Sequence, residues 1–330
     1  MKIIANEYIY PPDESSCHAS SFEILPDGSL FAAWFRGSAE GACDVRIFGA
    51  KREGGRWSEP RPLTADDGIP HWNPVVDLNS GSLRVYYKIG ETIAGWHTEV
   101  IESIDGGETF SPSREMVPGD RSGGRGPVRN RILRLSDGSL LAPGSTEYDG
   151  WKCFADRSED GGSTWTRSAD ITLPPEDLRP GVPPEEKRRG LIQPAFCEDP
   201  ARPGRVIAFM RSTEGRVFRA ESTDFGRSFG PAFATPVKNN NSAIDLDVSP
   251  DGRIFLVCNP VGVPEGKIWG KRTPLSVLVS EDGGDSFSRL TEIATGDGTF
   301  AYPSVRYRDG RLHVTYTWNR KMICYFCAEV

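Results

Sequence analysis

Four copies of one octapeptide constrain this chain more than any other feature. They read SIDGGETF from Ser103, SEDGGSTW from Ser158, STDFGRSF from Ser222 and SEDGGDSF from Ser280, spaced by 55, 64 and 58 residues. All four fit Ser-x-Asp-x-Gly-x-[Thr/Ser]-[Phe/Trp]. A motif recurring at such a period marks an array of similar structural units. The residue types have a physical logic. Asp accepts hydrogen bonds from nearby backbone N–H groups and holds a tight turn. Gly supplies a backbone angle closed to other residues. The final aromatic ring can fill apolar space between neighbouring sheets.

A second marker counts the units. Strand-like runs break at a small turn and resume in ILPDGSLFAAWF, DLNSGSLRVYY, RLSDGSLLAPG, EDPARPGRVIAFM, VSPDGRIFLVCN and YRDGRLHVTYTW, turning at Gly28, Gly81, Gly138, Gly204, Gly252 and Gly310. These read as six β-hairpins. The octapeptide closes a second hairpin in four units, and GGRWSEP from Gly54 is a degenerate counterpart in the first. Each unit is therefore about four strands, and no long window keeps a helical period. The expectation is an all-β, six-bladed β-propeller with four-stranded antiparallel blades. It is read as a single domain over residues 1–330, with the opening strand KIIANEYIY completing the last blade and closing the ring. The Pro- and charge-rich segment 173–190 reads as a surface loop.

Composition agrees. Gly (36) and Pro (26) are plentiful among 330 residues, and 37% hydrophobic content with 8 Trp suffices for a large core. Net charge is −7 with no basic block, which argues against a nucleic-acid partner. The seven Cys are scattered. Cys324 and Cys327 form a CxxC without a second ligand pair, so buried thiols are expected rather than a metal site. No cofactor is implied. The first ten residues lack signal-peptide features, and no apolar run of about 18 residues exists, so no membrane partner and a cytoplasmic location are expected.

In a propeller, the first strand of each blade lines the central channel. Near their starts the six first strands read CHASS, HWNPV, VRNRI, LIQPA, NNSAI and AYPSV. They carry His18, His71, Asn73, Arg129, Asn130, Gln193, Asn241 and Tyr302. The loops between second and third strands on the same face add Glu40, Lys88, Glu147, Asp149, Arg211, Asn259, Arg272 and Arg320, with Trp151, Tyr316 and Trp318 nearby. Converging Arg, Glu, His and Tyr suit a sugar better than they suit plain solvation of a channel. The octapeptides lie on the opposite face and read as structural.

These residues resemble the sialidase (neuraminidase) superfamily, the Asp-box or BNR-repeat propellers, and in particular a divergent bacterial branch of it. The resemblance covers essentially the whole chain. It implies that Arg211, in RSTEGRVFRAESTDFGRSF, and Arg272, in KRTPLSVLVSEDGG, hold a substrate carboxylate. It makes Tyr302 of AYPSV the nucleophile, Glu40 of RGSAEGACDVRIF the acid/base with Asp44 as alternative, and Asn73 a pocket-wall residue. Two positions depart from the family pattern. His18 stands where the first arginine of the family would be, and Gln193 where the glutamate partner of the tyrosine would be. A phenol with an ordinary pKa of about 10 needs a base to act as nucleophile, and Glu147 and His18 are the candidates.

The reading that follows is a glycosidase releasing a terminal acidic sugar, with a glycan as partner. Two others stay open. One is a polysaccharide lyase in which His18 takes a proton beside a uronate and Tyr302 or Tyr87 protonates the leaving group. The other is a glycan-binding propeller without catalysis. The remaining residues assigned to substrate binding are His71, Gln193, Lys88, Asn130, Asp149, Trp151 and Arg320.

Overall fold

The computed structural model describes residues 1–79, 81–182 and 188–330. Its strands form six antiparallel sheets, each built around a path of four strands, and the fold is a six-bladed β-propeller. Among the described residues there is no α-helix. The segment 173–190 contains one short 3-10 turn, Pro175–Asp177, and its residues 183–187 lie outside the described residues. Among the described residues no helix is long and apolar enough to cross a membrane.

The chain divides into two compact units, Met1–Arg131 with Tyr302–Val330, and Ile132–Ala301. In the first unit, blade one runs Ser16–Ile24, Leu30–Gly37, Arg46–Glu53 and Arg56–Trp57, with Arg61–Pro62 also pairing to its third strand. Blade two runs His71–Asn79, Ser82–Ile89, His97–Ser103 and Arg114–Glu115. Blade six is formed by Phe300–Arg308, Arg311–Trp318 and Met322–Glu329, and Lys2–Tyr8 pairs with its third strand as the outer fourth. In the second unit, blade three runs Leu133–Arg134, Leu140–Thr146, Lys152–Ser158 and Thr166–Arg167. Blade four runs Leu191–Glu198, Val206–Ser212, Arg216–Ser222 and Phe233–Lys238, and blade five Asp245–Val248, Ile254–Cys258, Leu275–Ser280 and Ser288–Ala294.

Burial follows strand position. Second strands such as VIAFMRS are buried along their whole length, because other sheets cover both faces. The fourth strand FATPVK alternates, with its outward side chains in solvent. Apolar side chains interleave between consecutive blades. Leu141, Phe196, Met210 and Phe218 do so between blades three and four, and Trp34, Phe22, Ile323 and Tyr325 between blades one and six. Each such side chain contributes at most about 1.5–3 kcal/mol of burial. All seven cysteines are free thiols, and only Cys43 is exposed.

The octapeptides join third to fourth strands. In the first copy Asp105 accepts from the Glu108 and Thr109 N–H groups and from Thr109 Oγ1, while Ser103 Oγ accepts from Gly107 N at 2.8 Å. The other copies repeat this: Gly162, Gly226 and Gly284 donate to Ser158, Ser222 and Ser280 at 2.8, 2.9 and 2.8 Å. The glycine has a second reason to be there. A Cβ on Gly107 would lie 2.5 Å from the Phe31 ring, and one on Gly284 2.5 Å from Phe209, each in the preceding blade. In blade one GGRWSEP makes a tight turn at Gly54–Gly55, with φ of 55° and 81°, and has no aspartate in the place of Asp105. All six predicted hairpin glycines have positive φ, between 77° and 88°.

Two of the predicted first strands differ from expectation. VRNRI is not a strand, since pairing in blade three begins only at Leu133. NNSAI is likewise irregular, and its strand begins at Asp245. There the asparagine side chains bond their own backbone instead of leaving it to a ladder: Asn239 Oδ1 accepts from Asn241 N, and Asn240 Oδ1 from Ser242 N.

Candidate functional site

Three of the first strands share one local device. Pairing with the second strand shifts register between His18 and Ser21, between Trp72 and Val75, and between Ile192 and Ala195. Ala19 (φ 57°), Gln193 (55°), Asn241 (61°) and Tyr302 (56°) are left-handed. A non-glycine residue held there costs on the order of 1–3 kcal/mol, and such outliers gather at functional sites. A bulge also re-aims the side chains around it. The bulges are tied from neighbouring second strands: Ala19 N donates to Thr317 Oγ1 at 3.2 Å, and Gln193 N to Ser145 Oγ at 3.2 Å.

In the first unit this brings His18 and Tyr302 together, with ring centroids 4.0 Å apart and planes tilted by 43°. Both are buried, and Phe35 packs edge-on to the imidazole at 5.8 Å. Arg129, fully buried, reaches the same place. Its Nη2 donates to the Tyr302 and Pro303 carbonyls at 2.6 and 2.7 Å, and its guanidinium lies 5.4 Å from the Tyr302 ring centre. Asn130 follows it, also buried.

Glu40 sits in the loop between Gly37 and Val45. Asp44 braces that loop by accepting from Ser38 N and Oγ, both at 2.9 Å, which leaves Glu40 as its outward carboxylate. Glu40 pairs with Arg320 at 2.5 Å, and the two side chains are 38% and 35% exposed. A pair this open contributes under about 1 kcal/mol, so a ligand can displace it. The Arg320 carbonyl accepts from Cys17 N at 2.9 Å, beside His18. Trp72 packs under Gly41 of the loop, and Asn73, next to Trp72, is buried.

Several assigned residues are engaged elsewhere. His71 bonds Thr64 Oγ1 at 2.7 Å and Asp67 at 3.3 Å; burial holds its imidazole below the ordinary value, against the pull of Asp67. Lys88 lies on a second strand rather than in a loop, and its ammonium donates to the Arg125 carbonyl at 2.6 Å. With Thr98 and Trp96, which bond Arg125 O and Gly123 O, it anchors the segment leading to Arg129. Tyr316 is buried against Cys324, and burial pushes its phenol far up. Tyr87 donates to Glu99 at 2.8 Å.

The second unit holds the other cluster. Arg211, on a second strand and fully buried, donates from Nε to Asn241 Oδ1 at 2.8 Å and from Nη1 to Gln193 Oε1 at 2.9 Å. Its guanidinium lies 5.5 and 5.2 Å from the ring centres of Trp151 and Trp269, which pack edge-on against each other at 5.9 Å. Glu214 clasps the neighbouring loop: Arg189 donates to it at 2.6 Å and the Arg179 N–H at 2.8 Å. Hydrogen bonding from Arg189 and Thr213 holds that carboxyl below its usual range despite burial. Arg189 O in turn accepts from Trp151 N. Glu147 is half-buried just after the strand Leu140–Thr146, and Asp149 is exposed in the turn before Trp151. Arg272 is half-exposed, and its carbonyl accepts from Phe300 N. Asn259 donates to Pro274 O and Phe300 O, bracing that turn. Among the described residues no group of three or more His, Cys, Asp or Glu is arranged to hold a metal ion.

Residues 28–314 match the family model described as a BNR repeat-like domain. The chain belongs to that family. No curated protein matches it in sequence. Among solved structures, the Hadza microbial sialidase Hz136 is similar with a TM-score of 0.79 at 16% identity, over 98% of this chain and 68% of its own. A protein of unknown function from Dyadobacter fermentans is similar with a TM-score of 0.76 at 15% identity, over 100% and 99%. The NanB sialidase of Streptococcus pneumoniae follows with a TM-score of 0.73 at 12% identity, over 98% and 70%. At such identities the likeness establishes the fold.

Within this BNR repeat-like chain, two functional candidates escaped sequence reasoning in part or whole. Trp269 was not singled out, although it is 39% exposed and stacks on Arg211; its signal was a tryptophan three residues before Arg272. Arg129 was placed among the mouth residues, but its grip on Tyr302 was not legible.

Proposed function

We propose that this BNR repeat-like protein is a glycosidase of sialidase type that releases a terminal acidic sugar. One observation carries the reading: Tyr302, left-handed at φ 56°, has its ring centre 4.0 Å from that of His18. His18 thus serves as the base that the phenol needs, since Gln193 holds the place of the family's glutamate. Glu40 gives its proton to the leaving oxygen as the glycosidic C–O bond breaks. The Tyr302 oxygen bonds the anomeric carbon, and its proton passes to His18. Water then attacks that carbon, Glu40 takes the water's proton, and His18 returns a proton to the phenolate. This is the tyrosine variant of the retaining mechanism. Arg211 and Arg272 are the proposed carboxylate-binding cations. The sialidase neighbours support the fold-level part of this reading.

The same adjacent pair favours a second reading, a lyase in which His18 abstracts the proton beside a uronate carboxylate and Tyr302 protonates the leaving oxygen. A screen of acidic glycosides and uronate polysaccharides, read for both new reducing ends and the ultraviolet absorbance of an unsaturated product, separates the two. Reducing ends without unsaturation, lost in Glu40→Gln and Tyr302→Phe, are expected. Unsaturation favours the lyase, and binding without turnover rejects both.

A further inference from the structure

We infer that Arg129 is a positioning residue for Tyr302, holding its strained backbone and setting a fixed positive charge beside its ring. The inference rests on Tyr302 being the reacting phenol.

Three observations converge. First, the left-handed bulges at Ala19 and Gln193 are tied through their N–H groups by neutral hydroxyls, Thr317 and Ser145. At Tyr302, left-handed at φ 56°, a guanidinium bonds through one nitrogen to two successive carbonyls at 2.6 and 2.7 Å. Charge-assisted bonds of this kind are about twice as strong as neutral ones. Second, the same guanidinium lies 5.4 Å from the Tyr302 ring centre, where it attracts the electron-rich ring and, more strongly, a phenolate. Third, Arg129 is 1% exposed, and water does not screen it there. Its segment is irregular and anchored just upstream, where the Arg125 carbonyl accepts from Lys88 and Thr98. A buried arginine needed only for packing requires no such aim. This one fixes both the angle and the charge environment of a single side chain, while His18 packs against the same ring.

The test uses the full chain. Arg129→Gln keeps a donor for the carbonyls and removes the charge, while Arg129→Lys keeps the charge and loses the planar fork. Both are first checked for a cooperative melt. With an acidic glycoside turned over by the wild type, Arg129→Gln is expected to lower kcat by about 100-fold with KM little changed. The rising limb of its kcat–pH profile moves to higher pH, and Arg129→Lys recovers part of the loss. A folded Arg129→Gln with kcat within about twofold of wild type, or with KM alone altered, overturns the proposal. So does failure of both variants to fold, which makes Arg129 part of the frame only. If the wild type turns over no acidic glycoside, the functional reading falls, and a second readout still decides Arg129. Tyrosine nitration mapped by peptide digestion should be several-fold slower at Tyr302 in Arg129→Gln than in wild type. Equal rates overturn the inference.

Discussion

The octapeptide turns and the first-strand bulges are both repeated along the chain, yet they differ in what is repeated. The turns conserve chemistry. The same Asp accepts the same N–H groups, and the same Ser bonds the same Gly, in four blades. The left-handed inner residues share only backbone geometry, being alanine at 19, glutamine at 193, asparagine at 241 and tyrosine at 302. A side chain in a closed hydrogen-bonded turn has no freedom to vary. A side chain lifted off a strand by a bulge is released from the ladder and can differ from blade to blade. Fold therefore resides in the uniform set and chemistry in the varied one.

Four experiments would break or sharpen that division. The largest effect is expected at a left-handed inner residue. Tyr302→Phe should lower turnover on the order of 10³-fold or more while leaving the melting temperature close to wild type; equal loss of both would erase the distinction. Next comes a turn. Gly284→Ala places a methyl group at φ 91° and 2.5 Å from the Phe209 ring, and should cost about 2–4 kcal/mol in a denaturant titration without altering KM. A smaller effect is expected from Gln193→Glu, which sets a carboxylate 2.9 Å from Arg211. KM for an acidic sugar should rise roughly tenfold, about 1.4 kcal/mol, whereas an unchanged KM would remove Arg211 from carboxylate binding. The smallest concerns pH. Hydrogen bonding from Ser286 holds the Asp282 carboxyl down at about 2, and the equivalent bonds from threonine and serine hold Asp105, Asp160 and Asp224 below the usual range. A carboxyl lowered in the folded state stabilises it above the unfolded value of about 3.9 and ceases to do so as pH falls through the folded value. Melting temperature should thus decline between about pH 4 and pH 2. Replacing Asp282 by Asn should flatten that decline while leaving the kcat–pH profile unaltered.

Sequence and structure agree most closely where local chemistry decides the outcome. The glycines from Gly28 to Gly310 and the four octapeptides were legible because each turn is fixed by its own few residues. The inner strands were less so. Alternation tells which face a residue takes only while register is kept, and one bulge reverses it. So His18 and Tyr302 could be placed at the same mouth but not ring to ring, and His71 and Lys88 could not be seen to bond Thr64 and Arg125 instead. Likewise VRNRI and NNSAI carry strand-like residues, but their polar groups close local or tertiary hydrogen bonds that no periodicity records. The clasp between Glu214 and Arg189 joins two distant segments and leaves no trace in either.

The pairing of Lys2–Tyr8 with Met322–Glu329 has a consequence for how the protein is made. The ribosome produces the outer strand of blade six first among the described strands and its partner last. Throughout synthesis that strand, with Ile3 and Ile4 still exposed in the folded protein, has no edge to join. Closing so long a loop adds only a slowly growing entropic penalty, so the delay is one of order rather than of energy. A chain halted before Met322 leaves Lys2–Tyr8 without its partner strand, as an unpaired β-edge open to pairing with other chains.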